Sequence, residues 1–333
     1  MTADAKKVGV IGAGAWGTAL ALVAARAGHR VTLWARHVET ANDINTWHEN
    51  KARLPSVVLP DTVAATCRPA DLAASELVLI ATPAQAMRGV MGLFRPVLSP
   101  GTPAVITAKG IEQHTSRFMT DVLHEACPDL EPLVLSGPSF AADVARELPT
   151  AVTLAARSLD LARPTAEALS LPTFRPYLSD DLIGVQIGGA VKNVLAIACG
   201  IVTGRGLGES ARAALIARAF AELTRFGSTL GARRETLTGL SGLGDLVLTC
   251  SSPQSRNFRL GFALGEGRTV EAATVGTRGV SEGAYTASAV VRIGAERGID
   301  VPISAAVLDI LEGRLKIAAA IGSLMQRPLK AED

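Results

Sequence analysis

Aromatic side chains are scarce: Phe, Tyr and Trp make up 4% of the 333 residues, with two tyrosines and three tryptophans. A protein that grips nucleic acid by stacking bases on side-chain platforms carries more of them. Charge of one sign is lacking too. Lys and Arg number 33 against 31 Asp and Glu, a net charge of +2, with no long basic run. That excludes the electrostatic footprint of a nucleic-acid or anionic-membrane binder. Cysteine is rare: Cys67, Cys127, Cys199 and Cys250 lie far apart, with no C-x-x-C pair. Neither a zinc site nor a redox dithiol is signalled, and four cysteines in so long a chain do not make a disulfide scaffold. A reducing cytoplasm fits this usage. The histidines (His29, His37, His48, His114 and His124) show no metal-ligand spacing, so no metal is expected. There is no G-x-x-x-x-G-K-S/T for nucleoside triphosphates and no H-E-x-x-H. Gly239-Leu240-Ser241-Gly242 fails the nucleophile elbow by one residue. Residues 1–7 are polar and lack the charged start and apolar stretch of a secretory leader, so none is expected. One apolar run, 182–202, is long enough to span a bilayer, but Gln186, Lys192 and Asn193 sit near its middle. Polar groups at that depth are costly in lipid, so a helix buried in protein is expected.

What is present suits a globular chain: 48% hydrophobic and 19% charged, with length for two domains. The first half alternates apolar runs with helical stretches. Strands are expected at 8–11, 30–35, 77–81, 104–107 and 133–135, with edge strands at 151–155 and 174–178. Such alternation predicts a parallel sheet covered on both faces. After Asp180 the apolar period becomes helical, through 182–202 and 211–230, broken by glycine-rich segments. The expected architecture is an α/β Rossmann-type N-terminal domain, residues 1–181, and a mainly α-helical C-terminal domain, residues 182–333.

Gly12-Ala13-Gly14-Ala15-Trp16-Gly17 reads G-x-G-x-x-G, follows a strand and opens a helix. In that context Gly12 permits the tight turn, Gly14 lets a pyrophosphate approach the backbone, and Gly17 lets helix and strand pack closely. The helix N-terminus offers N–H groups and a positive dipole end to the anion. Where an NAD-type fold commonly places Asp or Glu after the second strand, this chain has Arg36, followed by His37. A guanidinium pairs with a 2′-phosphate, which favours NADP while leaving NAD acceptable; the plain alternative is a solvated arginine at a strand end. Other residues expected at the carboxyl ends of the strands are Thr82-Pro83, Lys109-Gly110 and Gly137-Pro138-Ser139-Phe140. Lys109 is either part of that site or an exposed loop lysine.

In the helical half, Lys192 has Gly188, Gly189, Leu195 and Ala196 at helical spacing. Three small neighbours predict open space for a ligand beside the amine. Burial would lower its pKa toward that of a proton donor and acceptor near neutrality. The alternative is a lysine snorkelling to water. Asp245 in Gly242-Leu243-Gly244-Asp245 is either a helix N-cap or the orienting partner of a buried lysine. Ser255-Arg256-Asn257 offers arginine, hydroxyl and amide donors to a phosphate, or is an exposed polar loop.

Taken together, GAGAWGTALA (12–21), KGIE (109–112), LSGPSFA (135–141), GGAVKNVLAI (188–197), GLGDLVLTC (242–250) and QSRNFRLG (254–261) resemble the bacterial NAD(P)-dependent glycerol-3-phosphate dehydrogenases. Val280-Ser281-Glu282-Gly283 is similar to that family's late cofactor segment, and the resemblance runs from residue 8 to about 302. It implies reduction of dihydroxyacetone phosphate to sn-glycerol 3-phosphate, with Lys192 as the catalytic proton donor and acceptor. It implies substrate contacts from Lys109, Gly137, Ser139, Asp245, Ser255, Arg256 and Asn257. It implies cofactor contacts from the glycine loop with Trp16, and from Arg36, His37, Lys109, Ala141, Arg256, Val280 and Glu282. Ala15 stands where many members have Ser, which removes one phosphate hydrogen bond. The resemblance also implies a cytoplasmic enzyme, often a homodimer, that supplies glycerol backbones for phospholipid synthesis. Two other readings share part of the pattern. A two-domain reductase of a hydroxy or keto acid would keep the glycine loop and the lysine without needing Arg256 and Asn257. A non-catalytic dinucleotide sensor would keep Gly12, Gly14 and Gly17 without needing Lys192 beside Asp245.

Overall fold

The computed structural model describes residues 5–274 and 282–328. Eight strands form one sheet: β1 (Lys7–Ile11), β2 (Arg30–Trp34), β3 (Val63–Thr66), β4 (Leu77–Ile80), β5 (Pro103–Ile106), β6 (Glu131–Ser136), β7 (Thr150–Ala155) and β8 (Phe174–Ser179). Their spatial order is β3-β2-β1-β4-β5-β6-β7-β8. The order reverses between β1 and β4, and ligands of open α/β sheets bind at such a switch point.

β4, Leu-Val-Leu-Ile, is buried at every position, the mark of a parallel strand covered on both faces. Successive side chains feed opposite cores. Val10, Leu33 and Leu79 join one with the helix Ala15–Arg26. Ile11, Trp34, Val78 and Ile80 join the other with Met87 and Phe94 of the helix Ala84–Phe94. Trp34 meets Phe94 edge-on at a centroid distance of 5.3 Å.

The sheet is parallel, as expected, except at one place: β7 runs antiparallel to β6. The connection between them holds only the five-residue helix Ala141–Ala145. A parallel crossover needs a dozen or more residues and usually carries a full helix; the link from Ser136 to Thr150 sits at that lower limit with one short helix. β8 then pairs parallel with β7 and forms the sheet edge.

Beyond β8 every described element is helical. The helix Leu182–Gly204 is the axis of this half; 89% of its most apolar window is buried in protein rather than offered to lipid. Asp181 starts it by accepting from the Gly184 N–H at 2.8 Å. Gln186, polar within the apolar run, donates to Thr120 Oγ1 at 3.1 Å and accepts from the Thr120 N–H at 3.0 Å. The helix Arg256–Gly265 packs against the axis with backbones nearly touching. A Cβ on Gly200 would sit 2.1 Å from Phe258 O, and one on Gly261 would sit 2.0 Å from Ile197 O. The glycines there are a packing requirement.

Candidate active site

The glycine loop joins β1 to the helix Ala15–Arg26. Gly12 has φ +116°, and a Cβ on it would press on Ala81 O, at the end of β4, at 2.9 Å. A Cβ on Gly17 would lie 1.8 Å from Gly12 O, so only glycine lets the helix sit this close to the turn. Gly14 faces open space: nothing lies within 4 Å of where its Cβ would be. It is also the N-cap of a helix with no side-chain cap and no acid in its first turn. Uncapped N–H groups and a positive dipole end therefore border empty space, which is the chemistry of an anion cradle. Ala15 and Trp16 open the helix, half-buried, and the Trp16 indole N–H is a buried donor without a partner. Arg36 is exposed just past β2, and His37 takes the N-cap position of the helix Val38–Trp47 without capping it. Ala141 opens its short helix half-buried. The donors and open space fit a dinucleotide laid across this edge.

The second part of the site lies where the two halves meet. Lys192 is buried to 5% exposure and donates to the Asp245 carboxylate and, at 2.8 Å, to Thr249 Oγ1. Lys109, just past β5, donates to the other Asp245 oxygen at 2.8 Å and to Gly137 O at 2.9 Å. One carboxylate thus holds two ammonium groups, one from each half of the chain. Burial lowers the Lys192 pKa from its ordinary 10.5 to about 8; Lys109 pushes it the same way, while Asp245 opposes both. Neither the snorkelling reading of Lys192 nor the N-cap reading of Asp245 holds, since both side chains turn inward to each other.

The open space expected beside Lys192 is not formed by its small helical neighbours. A Cβ on Gly188 would meet Ser241 O at 2.4 Å, and one on Gly189 would meet Ser136 Oγ at 2.6 Å. Those glycines admit other chain segments to the helix instead of a ligand.

Polar links run outward from the lysines. Asn193 donates to Lys109 O at 2.8 Å and accepts from Asn257 Nδ2 at 2.9 Å. Asn257 Oδ1 in turn accepts from the Gly283 N–H at 3.1 Å. Glu282 reaches back to the first half, accepting from the Ala84 N–H at 3.0 Å, while its other oxygen is buried without a partner. Burial raises the Glu282 pKa, against the Ala84 N–H and the charge of Arg256. Arg256 is exposed, Ser139 donates to Gly137 O at 3.1 Å, and the Ser255 hydroxyl caps the helix Arg256–Gly265 by accepting from the Phe258 N–H at 3.2 Å. Val280 lies outside the described residues. Two participants were not singled out from sequence, Thr249 and Asn193. Thr249 stands four residues after Asp245 on the helix Asp245–Ser251, and that spacing places both on one face.

Comparison with known proteins bears on the whole chain. Residues 7–162 match the family model for the NAD-dependent glycerol-3-phosphate dehydrogenase N-terminus, and residues 181–322 match the model for its C-terminus. A glycerol-3-phosphate dehydrogenase (NAD(P)+) of Parvibaculum lavamentivorans is 54% identical over 332 residues, covering 100% of both chains. One from Caulobacter vibrioides is 55% identical, covering 98% of this chain and 99% of its own. The crystal structure of glycerol-3-phosphate dehydrogenase from Coxiella burnetii superposes with a TM-score of 0.92 at 39% identity, covering 97% of this chain and 99% of that one. The anion cradle, the shared carboxylate and these matches lead to one conclusion: the chain belongs to the NAD-dependent glycerol-3-phosphate dehydrogenase family.

Proposed function

We propose that this chain reduces dihydroxyacetone phosphate to sn-glycerol 3-phosphate, reversibly, with NADPH preferred and NADH accepted. One observation carries the reading: a buried amine with a pKa of about 8, Lys192, is held by Asp245 where the helical half meets the strand ends of the sheet.

Held by the glycine loop and the strand ends, a nicotinamide would supply the hydride chemistry at the substrate's C2. The chain's own part is to manage the oxygen. As negative charge grows there, the Lys192 ammonium stabilises it and gives up a proton from Nζ. In the reverse direction the neutral amine takes the alcohol proton. Asp245 keeps both lysines oriented and accepts from a substrate hydroxyl, and Lys109, held on the second carboxylate oxygen, adds a second positive charge to the site. Arg256 and Asn257 would grip the phosphate, so that binding energy remote from C2 positions the carbonyl. Gly137, Ser139 and Ser255 line the substrate's path. Gly12, Gly14, Ala15, Trp16 and Gly17 cradle the pyrophosphate, and Arg36 with His37 faces the 2′-phosphate. Ala141 and Glu282 complete the cofactor side, with Lys109 and Arg256 shared between cofactor and substrate. Residues 1–181 then serve as the dinucleotide-binding domain and residues 182–333 as the substrate and catalytic domain. Family membership and the free thiols support a cytoplasmic homodimer that feeds phospholipid synthesis.

The test follows nicotinamide absorbance with dihydroxyacetone phosphate and then with 2-keto and 3-keto acids, using both reduced cofactors. Turnover of the phosphorylated ketone alone is expected. Turnover of a keto acid instead would transfer the chain to another reductase class, and cofactor binding without any turnover would make it a sensor.

A further inference from the structure

The loop after the helix Val38–Trp47 carries a buried asparagine aimed at the glycine loop from behind. Asn50 is 2% exposed. Its Nδ2 donates twice, to Ala13 O at 3.0 Å and to Thr18 Oγ1 at 2.8 Å. Its own backbone is fixed by a turn, since Asn50 O accepts from the N–H groups of Arg53 at 3.0 Å and Leu54 at 2.8 Å. Leu54 and Leu59 anchor that turn in the core beside the glycine-loop helix. The amide is therefore held in place from its own side.

Ala13 lies between the turn glycine, Gly12, and the open one, Gly14. The peptide from Ala13 to Gly14 is trans, like every other peptide bond described. In a trans peptide the C=O and the next N–H point in opposite directions. Holding Ala13 O inward toward Asn50 thus turns the Gly14 N–H outward, away from the core. Gly14 is the N-cap that faces open space. Without a donor behind it, the carbonyl of a loop with glycine on both sides could rotate toward water and take the N–H out of alignment.

We propose that Asn50 is a positioning residue for the cofactor: by fixing the Ala13–Gly14 peptide it presents the Gly14 N–H to the pyrophosphate. It touches neither the substrate nor the reacting atoms. The inference rests on the dinucleotide reading of the glycine loop.

Two ligands separate positioning from general damage. NADP+ carries the pyrophosphate, whereas adenosine 2′-monophosphate keeps the adenine and the 2′-phosphate without it. For Asn50→Ala, calorimetric titration should show NADP+ weakened roughly 5- to 100-fold, the range of one or two lost buried hydrogen bonds. Affinity for adenosine 2′-monophosphate should hold. KM for NADPH should rise while kcat at saturating cofactor stays within about twofold, as expected when binding rather than chemistry is lost. If Asn50→Ala does not fold, Asn50→Asp at pH 8 fills the same volume but cannot donate when ionised, and the same selective loss is expected. Equal loss of both ligands, or unchanged NADP+ affinity in a folded variant, overturns the proposal. Wild-type protein that binds neither ligand overturns the dinucleotide reading and this inference with it.

Discussion

Lys192 and Asp245 meet as a buried ion pair across two helices, and the same carboxylate takes Lys109 on its second oxygen. Two ammonium groups and one carboxylate leave a net positive charge in a largely buried site. That excess suits a substrate whose oxygen becomes an anion. It also explains why the Asp245 attraction does not restore an ordinary pKa to Lys192: burial and the neighbouring ammonium outweigh it.

Replacing Lys192 by alanine should remove most turnover while leaving cofactor affinity nearly intact, because the glycine loop and Arg36 lie on other elements. The expected fall in kcat is roughly 10²–10⁴-fold, the usual contribution of a general acid. Asp245 keeps Lys109 as a partner in the variant, so the carboxylate is not stranded. Steady-state kinetics with a cofactor titration check this, and near-normal kcat would remove Lys192 from the proton transfer.

The pH profile follows from the same amine. Ketone reduction needs the ammonium and should decline as pH rises through about 8, while alcohol oxidation needs the neutral amine and should increase through about 8. Stability moves as well. The folded pKa is about 8 against an ordinary 10.5, so between those values the unfolded chain binds more protons than the folded one. Stability linked to Lys192 therefore rises with pH across that window, and the cost of burying the charge is fully present below it. Rate profiles in both directions and urea melts from pH 7 to about 10.5, compared with Lys192→Met, test the two signs. Profiles unchanged by the substitution would show that another group sets them.

Much of this was legible in the residues because the physics was local. Leu77–Ile80 is apolar throughout, too short for a helix and followed by Thr82-Pro83, which marks a buried strand. Gly12, Gly14 and Gly17 each meet the steric condition that their spacing demanded. Val63–Thr66 escaped notice, since Val-Ala-Ala-Thr is short, small and half-exposed and carries little strand signal. The direction of β7 depends on how the short link from β6 is routed, which no apolar pattern records. At the site, the pairing of Lys192 with Asp245 was anticipated as one of two readings. The sharing of Asp245 with Lys109 spans 136 residues and needed the fold. Gly188 and Gly189 misled because a small residue signals either a cavity or a close neighbour, and sequence alone does not say which.

Arg256 is exposed at the start of the helix Arg256–Gly265, close enough to Glu282 for its charge to oppose the burial that raises that acid's pKa. Arg256→Ala should weaken dihydroxyacetone phosphate by roughly 10- to 100-fold in kcat/KM, the range for a lost charged hydrogen bond. Reduction of dihydroxyacetone, which lacks the phosphate, should change little. Added phosphite dianion should stimulate the wild type on that truncated substrate more than the variant. Equal loss on both substrates would take Arg256 out of the phosphate site.

Arg36 projects just past β2, at the place where a carboxylate in an NAD-specific fold would hold the ribose hydroxyls. A guanidinium there rewards a 2′-phosphate and has no carboxylate's means of gripping the unphosphorylated ribose. Arg36→Ala should lower kcat/KM with NADPH by about tenfold and leave NADH nearly unchanged, so the preference narrows or vanishes. The NADPH effect should shrink as salt rises, since an exposed pair is screened within about 10 Å at 0.1 M. Arg36→Asp should go further and favour NADH, because like charges then face each other at the 2′-phosphate. A ratio of the two cofactors that stays the same in both variants would show that Arg36 is a solvated strand-end residue with no part in cofactor choice.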